Sequence, residues 1–314
     1  MYSYIDMHCD SLLRVLSEGE ESLYHGKGMQ SIQRMAKAGQ MCQFFAIFFR
    51  PEWLEEEKYF ETLRNALYKQ IEARPIEIAM AHNYAEIQAN WSAGRASAIL
   101  TIEDGRIVNG SLEKLVWLQE RGVRAITLTW NVPNCFGYPH SYNKRERSKG
   151  LTAFGKEAVR EMNRLGMLID VSHLSDGGFF DVAALSDKPF VASHSNCRAL
   201  APHTRNLSDD MIILLAERGG VAGVNLYPPF VEGGEVSDYM EALVSHVLHF
   251  IKVGGEECVG IGTDFDGMEE APMIDCPAKL ELLFEALLKR GVTYRQLDKF
   301  LRGNVLRVVR ETMR

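Results

Sequence analysis

The sequence predicts an α/β protein built as a parallel (β/α)8 barrel, and three observations carry that reading. Eight short runs rich in Val, Ile, Phe and Ala recur along the chain at residues 3–7, 42–49, 96–102, 123–128, 167–171, 190–193, 220–226 and 258–262. They lack helical periodicity and are too short for helices, which is the pattern of strands buried on both faces. Between most of them lie segments with apolar residues at helical spacing. Finally, His, Asp and Glu residues fall at the ends of the runs, where a barrel keeps its active site.

Each helical segment has its own signals. In 111–121, Leu112, Leu115, Val116 and Leu118 share a face, and Ser111 is an N-cap without a full capping box. The others are 152–165, 208–218, 236–253 and 278–290. Gly122, Gly166, Gly219 and Gly291 follow four of these segments, as helix-terminating glycines do. A doubly wound sheet would want a glycine-rich loop after the first strand, and here that stretch reads DMHCDSLL. One domain over residues 1–314 is expected, with an enlarged loop at about 131–150. That loop exceeds the usual two to six residues or so. It is either a mobile surface segment or a wall or lid of a pocket at the barrel mouth.

Composition narrows the function. The 314 residues carry 35 Lys and Arg against 42 Asp and Glu, a formal net charge of −7. That balance argues against nucleic acid or an anionic membrane as partner, because phosphate neutralisation needs clustered cations. The six cysteines are scattered without a CxxC pair, so a zinc ribbon or redox motif is not expected. A chain of this kind reads as reduced and cytoplasmic. Asp6 and Asp10 sit where a secretory leader would be apolar. A homodimer is expected only because soluble enzymes often form one.

The strand-end residues are His8 and Asp10, Glu103 and Asp104, His173, His194, and Asp264 and Asp266. His8 and Asp10 are two apart, so on a strand they face one side and Cys9 packs on the other. A ring of buried carboxylates needs a countercharge, and imidazoles with carboxylates suit zinc or a similar ion. Three imidazoles and two carboxylates suffice for two ions sharing a bridge. Glu103, with two oxygens and a central strand, is the natural one. Ions about 3.5–4 Å apart would hold a hydroxide for hydrolysis.

The motifs D-M-H-C-D, T-I-E-D-G, I-D-V-S-H, V-A-S-H-S and G-T-D-F-D-G, in that order, resemble the membrane (renal) dipeptidase family of zinc metallopeptidases. The resemblance runs from Asp6 to about Asn304. It implies a barrel of the metallo-dependent hydrolase type with two Zn2+ ions, hydrolysing dipeptides and tolerating a D residue at the C-terminal position. It implies that His8 and Asp10 bind one zinc, that His173 and His194 bind the other, and that Glu103 bridges. Asp264 would handle protons near the bridging water, a role that Asp266 could share. Arg205 would bind the substrate's free carboxylate, a task suited to a planar, permanently charged fork. Arg198 is its rival, and His203 reads as structural or exposed.

One departure stands out. Mammalian members carry a substrate-contacting histidine in L-T-L-T-H, whereas this chain has Trp130 followed by Asn131. Trp130 donates one N–H and accepts no proton. It would wall the pocket, leaving the metals, Asn131 or His140 to steady the developing oxyanion. Asp6 and Asp170 are candidates to orient the ligand histidines, or merely to cap loops. Two other functions compete. One is a binuclear amidohydrolase acting on cyclic amides or lactones, which usually opens with H-x-H. The other is a barrel that only binds a ligand, which should lack part of the metal set.

Overall fold

The computed structural model describes residues 2–49, 55–232 and 238–314. Among these, nine strands form: β1 Tyr4–Cys9, β2 Gln40–Phe48, β3 Ile78–Met80, β4 Ala96–Glu103, β5 Val123–Thr127, β6 Leu168–Asp170, β7 Val191–Ala192, β8 Val221–Val224 and β9 Val259–Ile261. Neighbouring strands pair in parallel, and the β2–β4 and β9–β1 pairings close the ring. Eight strands make the barrel, and each corresponds to one of the eight apolar runs. β3 lies outside the ring. It pairs with Ala96–Ala98, and β5 takes the same strand from Leu100 onward. Its three residues, two of them only half-buried, make too short a signal to separate from a loop.

The barrel interior is filled mainly from the strands. Ile5, Met7, Phe44, Ile99, Ala125, Leu168, Val191 and Val221 form one cluster. The helix Asn304–Thr312 caps it with Val305, Val308 and Val309. A second, larger cluster lies between the outer strand faces and the surrounding helices.

The helix Ala153–Leu165 illustrates the outer layer. Ala158, Val159 and Met162 recur on one face and are buried. Thr152 accepts a hydrogen bond from the Gly155 backbone at the start, which stabilises such a helix by about 1 kcal/mol. Gly166 ends it with a φ of 69°, a left-handed conformation that disfavours side chains. The segment expected at 236–253 forms the helix Tyr239–Gly254, and Val236 and Ser237 lie outside the described residues.

Two backbone features set the mouth of the barrel. First, β1 carries a bulge: Asp6 pairs with Gln43 but Cys9 pairs with Phe45. Three steps on one strand face two on the other, so one extra residue is absorbed. Met7 and His8, although adjacent, both line the same small internal void. Second, β7, β8 and β9 approach so closely that side chains do not fit between them. A Cβ on Gly262 would lie 1.7 Å from the Ser193 carbonyl, and one on Gly223 would lie 1.9 Å from it.

The 131–150 loop is held against the barrel. Asn134 donates to Asp104 and to the Leu128 carbonyl, and Phe136 is fully buried. Pro139 bridges Leu174, and Ser175 donates to the Tyr138 carbonyl. These contacts favour the wall over the mobile segment.

The Gly262→Ala protein should lose about 3 kcal/mol of stability, the upper end for an added methyl facing immovable backbone. Urea denaturation measures this, and an unchanged midpoint would contradict the close approach at Ser193.

Candidate metal centre

The functional residues arrive at the mouth from different strands. His8 lies in β1, with Asp10 one residue past its end, and Glu103 ends β4. His173, His194 and Asp264 sit two or three residues beyond β6, β7 and β9. Asp104, His173, Asp264 and Asp266 all have positive φ between 62° and 68°. Non-glycine residues adopt this conformation at a cost, and its repetition around one mouth marks a site whose neighbours enforce the geometry.

The side chains converge. His8 Nε2 lies 3.3 Å from Asp10 Oδ2 and 3.6 Å from Glu103 Oε2. Glu103 Oε1 lies 3.0 Å from His173 Nε2 and 3.4 Å from His194 Nε2. The last two nitrogens are 3.1 Å apart. Thus Glu103 Oε2 faces the His8 imidazole, and Oε1 faces those of His173 and His194. Two groups have potential donor atoms all within 4.8 Å of one another: His8, Glu103 and His194, and His8, Asp10 and Asp264.

The hydrogen bonds leave those atoms available. His194 Nδ1 lies 2.8 Å from Ser193 Oγ, which donates to Asp170 Oδ2 at 2.5 Å. Asp170 also accepts from Thr127, so a carboxylate backs His194 through a hydroxyl. His173 Nδ1 lies 3.0 Å from Asn131 Oδ1. Asp6 instead accepts from Thr263 and from the His8 backbone, which ties β1 to β9 without touching the His8 ring.

Burial and mutual charge distort the titration of the metal-free cluster. Burial, aided by Asp10, pushes Glu103 up to about 8, and burial pushes Asp264 up to about 6. Burial lowers His173 and His194. Burial also opposes the charging of His8, but Asp10 and Glu103 outweigh it and raise its pKa. His8 Nε2 and Asp10 Oδ1 are buried without hydrogen-bond partners. Orphaned donor atoms in a ring of imidazoles and carboxylates fit a divalent cation, which would satisfy both.

The remaining candidates separate. Asp264 Oδ2 accepts from Asn225 Nδ2 at 2.9 Å and faces the cluster. Asp266 accepts from Ser11 and from the backbones of Met29 and Gln30, which fastens the loop after β1. Arg198 is occupied by a two-pronged pair with Asp176. Arg205 is 4 % exposed and has no carboxylate within ion-pair distance among the described residues. It donates to Ser195 and to the His194 carbonyl, and its Nε is unpartnered. Cys9 is buried in the outer cluster, away from the ligands.

A cavity of about 480 Å³ opens beside the cluster, within the range of small-molecule sites. Trp130, Asn131, Phe48, Tyr227 and Phe230 are among its walls. Trp130 meets Phe48 edge-on, with ring centroids 4.9 Å apart. Arg205 lies behind the wall, with Phe230 5.4 Å from its guanidinium carbon. His140, one of the alternatives for steadying the oxyanion, has both ring nitrogens engaged, by Thr204 Oγ1 and Asn131 Oδ1. Burial and the charge of Arg205 push it down to about 3, so it is neutral. Sequence reasoning missed Asn225 and Ser193. Their one signal was a polar residue inside an apolar run.

Fold and site together define the class: a parallel (β/α)8 barrel with a cluster of imidazoles and carboxylates at its mouth that could hold metal ions. The membrane dipeptidase family model, peptidase family M19, matches residues 2–314, and the chain belongs to that family. An uncharacterized dipeptidase of Schizosaccharomyces pombe is 36% identical over 230 residues, 72% of this chain. The chain spans 55% of that relative's length. The crystal structure of dipeptidase AC, a metallopeptidase of family M19, superposes with a TM-score of 0.91 at 29% identity, covering 99% of this chain and 98% of that one. A metallopeptidase from Rhodobacter sphaeroides, liganded with a phosphinate mimic of the dipeptide L-Ala-D-Ala, gives 0.89 at 27% identity, covering 99% of each chain.

Metal uptake should release protons. At pH 7 Glu103, pushed up to about 8 by burial, holds a proton that a bound cation displaces. Calorimetric zinc titration in two buffers of different ionisation enthalpy should show net release at pH 7. The release should diminish above pH 8 as Glu103 ionises unaided.

Proposed function

We propose that this protein is a zinc-dependent dipeptidase that accepts L-Xaa-D-Xaa substrates. One observation carries the reading: the two oxygens of Glu103 face different ligand sets beside a cavity of dipeptide size. His8 and Asp10 would hold one ion, His173 and His194 the other, with Glu103 shared between them. Such a pair of ions supplies an activated water and a Lewis acid for the substrate carbonyl.

The chain's own residues do the rest. Asp264, fixed by Asn225 through one oxygen, takes the proton of the attacking water and delivers it to the leaving amine. Its pKa of about 6 suits that exchange near neutrality. Arg205, buried without a carboxylate partner, offers its charge to the C-terminal carboxylate of the substrate. Trp130 and Asn131 wall the cavity. The likeness to the enzyme liganded with an L-Ala-D-Ala mimic supports tolerance of a C-terminal D residue.

We read residues 1–314 as one barrel domain. No helix among the described residues is long and apolar enough to cross a membrane. All six cysteines are free, which supports a reducing compartment such as the cytoplasm.

The test is a panel of L-Xaa-D-Xaa and L-Xaa-L-Xaa dipeptides with elemental analysis of the purified protein. Turnover of esters but not dipeptides, or less than one metal per chain, overturns the reading. Glu103→Gln should lose metal and activity together. Asp264→Asn should keep metal and lose about 10²- to 10⁴-fold in kcat, the usual weight of a general acid–base group. Arg205→Ala should raise KM for free dipeptides more than for their C-terminal amides, and an equal loss on both excludes the carboxylate role.

A further inference from the structure

A chain of hydrogen bonds joins the ligand cluster to the loop that carries Arg205. Asn131 Oδ1 lies 3.0 Å from His173 Nδ1 and 3.1 Å from His140 Nε2. His140 Nδ1 lies 2.8 Å from Thr204 Oγ1, and Thr204 immediately precedes Arg205. The backbone reinforces the link, since His140 N donates to the His173 carbonyl at 2.7 Å.

Donor and acceptor chemistry fixes each proton along this chain. A carboxamide oxygen only accepts, so His173 presents Nδ1–H and His140 presents Nε2–H to it. His140 Nδ1 is then the acceptor of the Thr204 hydroxyl. With Nδ1 protonated, neutral His173 keeps its lone pair on Nε2, the nitrogen that faces Glu103 and His194. Turning the amide around would reverse this. His173 Nε2 would carry the hydrogen and could not ligate.

The arrangement differs from that of His194, whose Nδ1 is backed through Ser193 by the carboxylate of Asp170. His173 is backed by a neutral amide. An anionic partner raises the basicity of a ligand imidazole more than a neutral one does. The two histidines that face each other across 3.1 Å are therefore unequal donors.

We propose that Asn131 and His140 are positioning residues that lock His173 as an Nε2 metal ligand and couple it to the Arg205 loop. The proposal rests on the metal-centre reading above, but not on the identity of the substrate.

Zinc affinity, measured on the full chain by competition with a chromophoric chelator, tests it without any substrate. Asn131→Leu keeps the size of the side chain and removes the acceptor. It should weaken zinc binding about 10- to 100-fold, the range for loss of such a supporting group. Asn131→Asp keeps the acceptor and adds charge, so it should bind zinc at least as tightly as the parent. In the cobalt-substituted protein, Asn131→Leu and His140→Ala should both change the visible ligand-field bands, whereas Asn131→Asp should retain their pattern. Zinc affinity of Asn131→Leu within threefold of the parent, or Asn131→Asp as weak as Asn131→Leu, overturns the proposal. A parent protein that takes up no zinc overturns both this proposal and the metal-centre reading. A parent that binds zinc but cleaves no dipeptide overturns only the substrate assignment.

Discussion

Mutual repulsion among Asp10, Glu103 and Asp264 is the constraint on which the rest of the mouth depends. Three carboxylates are buried within reach of one another, and neither Asp10 nor Glu103 has a Lys or Arg partner among the described residues. A buried unpaired charge costs several kcal/mol or shifts its pKa until it is neutral. Glu103, pushed up to about 8 by burial, takes the second course, Asp264 is raised only to about 6, and His8 supplies part of the missing charge. A cation removes the conflict at once. His173 and Asp264 themselves sit at positive φ, a strained conformation that the surrounding barrel keeps populated.

The barrel was legible because doubly buried strands leave a simple trace. All eight apolar runs became ring strands, and the polar residues that end them came together at one mouth. What the sequence concealed was local. β3 was too short and too exposed to register. The β1 bulge leaves no mark in the spacing of His8 and Asp10, although it falls between Asp6 and Cys9 and so includes His8. Asp264 and Asp266 are equivalent by spacing, and only hydrogen bonds to Asn225 on one side and Ser11 on the other distinguish them. Likewise Arg198 and Arg205 share a loop, but Asp176 claims the first.

Trp130 has a defined structural setting. The indole packs edge-on against Phe48 and forms part of the cavity wall. Polar function on this side falls to the next residue, Asn131, whose oxygen is already committed to two imidazoles. The enlarged loop is accordingly a load-carrying part of the mouth, fastened through Asp104, Leu128 and Leu174.

The bulge in β1 has a consequence for comparing this chain with distant relatives. Inside–outside alternation, the usual guide for aligning strands, breaks between Asp6 and Cys9. An alignment that enforces alternation would slide His8 and Asp10 by one position and exchange ligands for packing residues. The irregular stretch from Asp6 to Cys9 contains His8 itself. A designer who grafts the site onto another barrel must therefore copy the irregularity along with the two side chains.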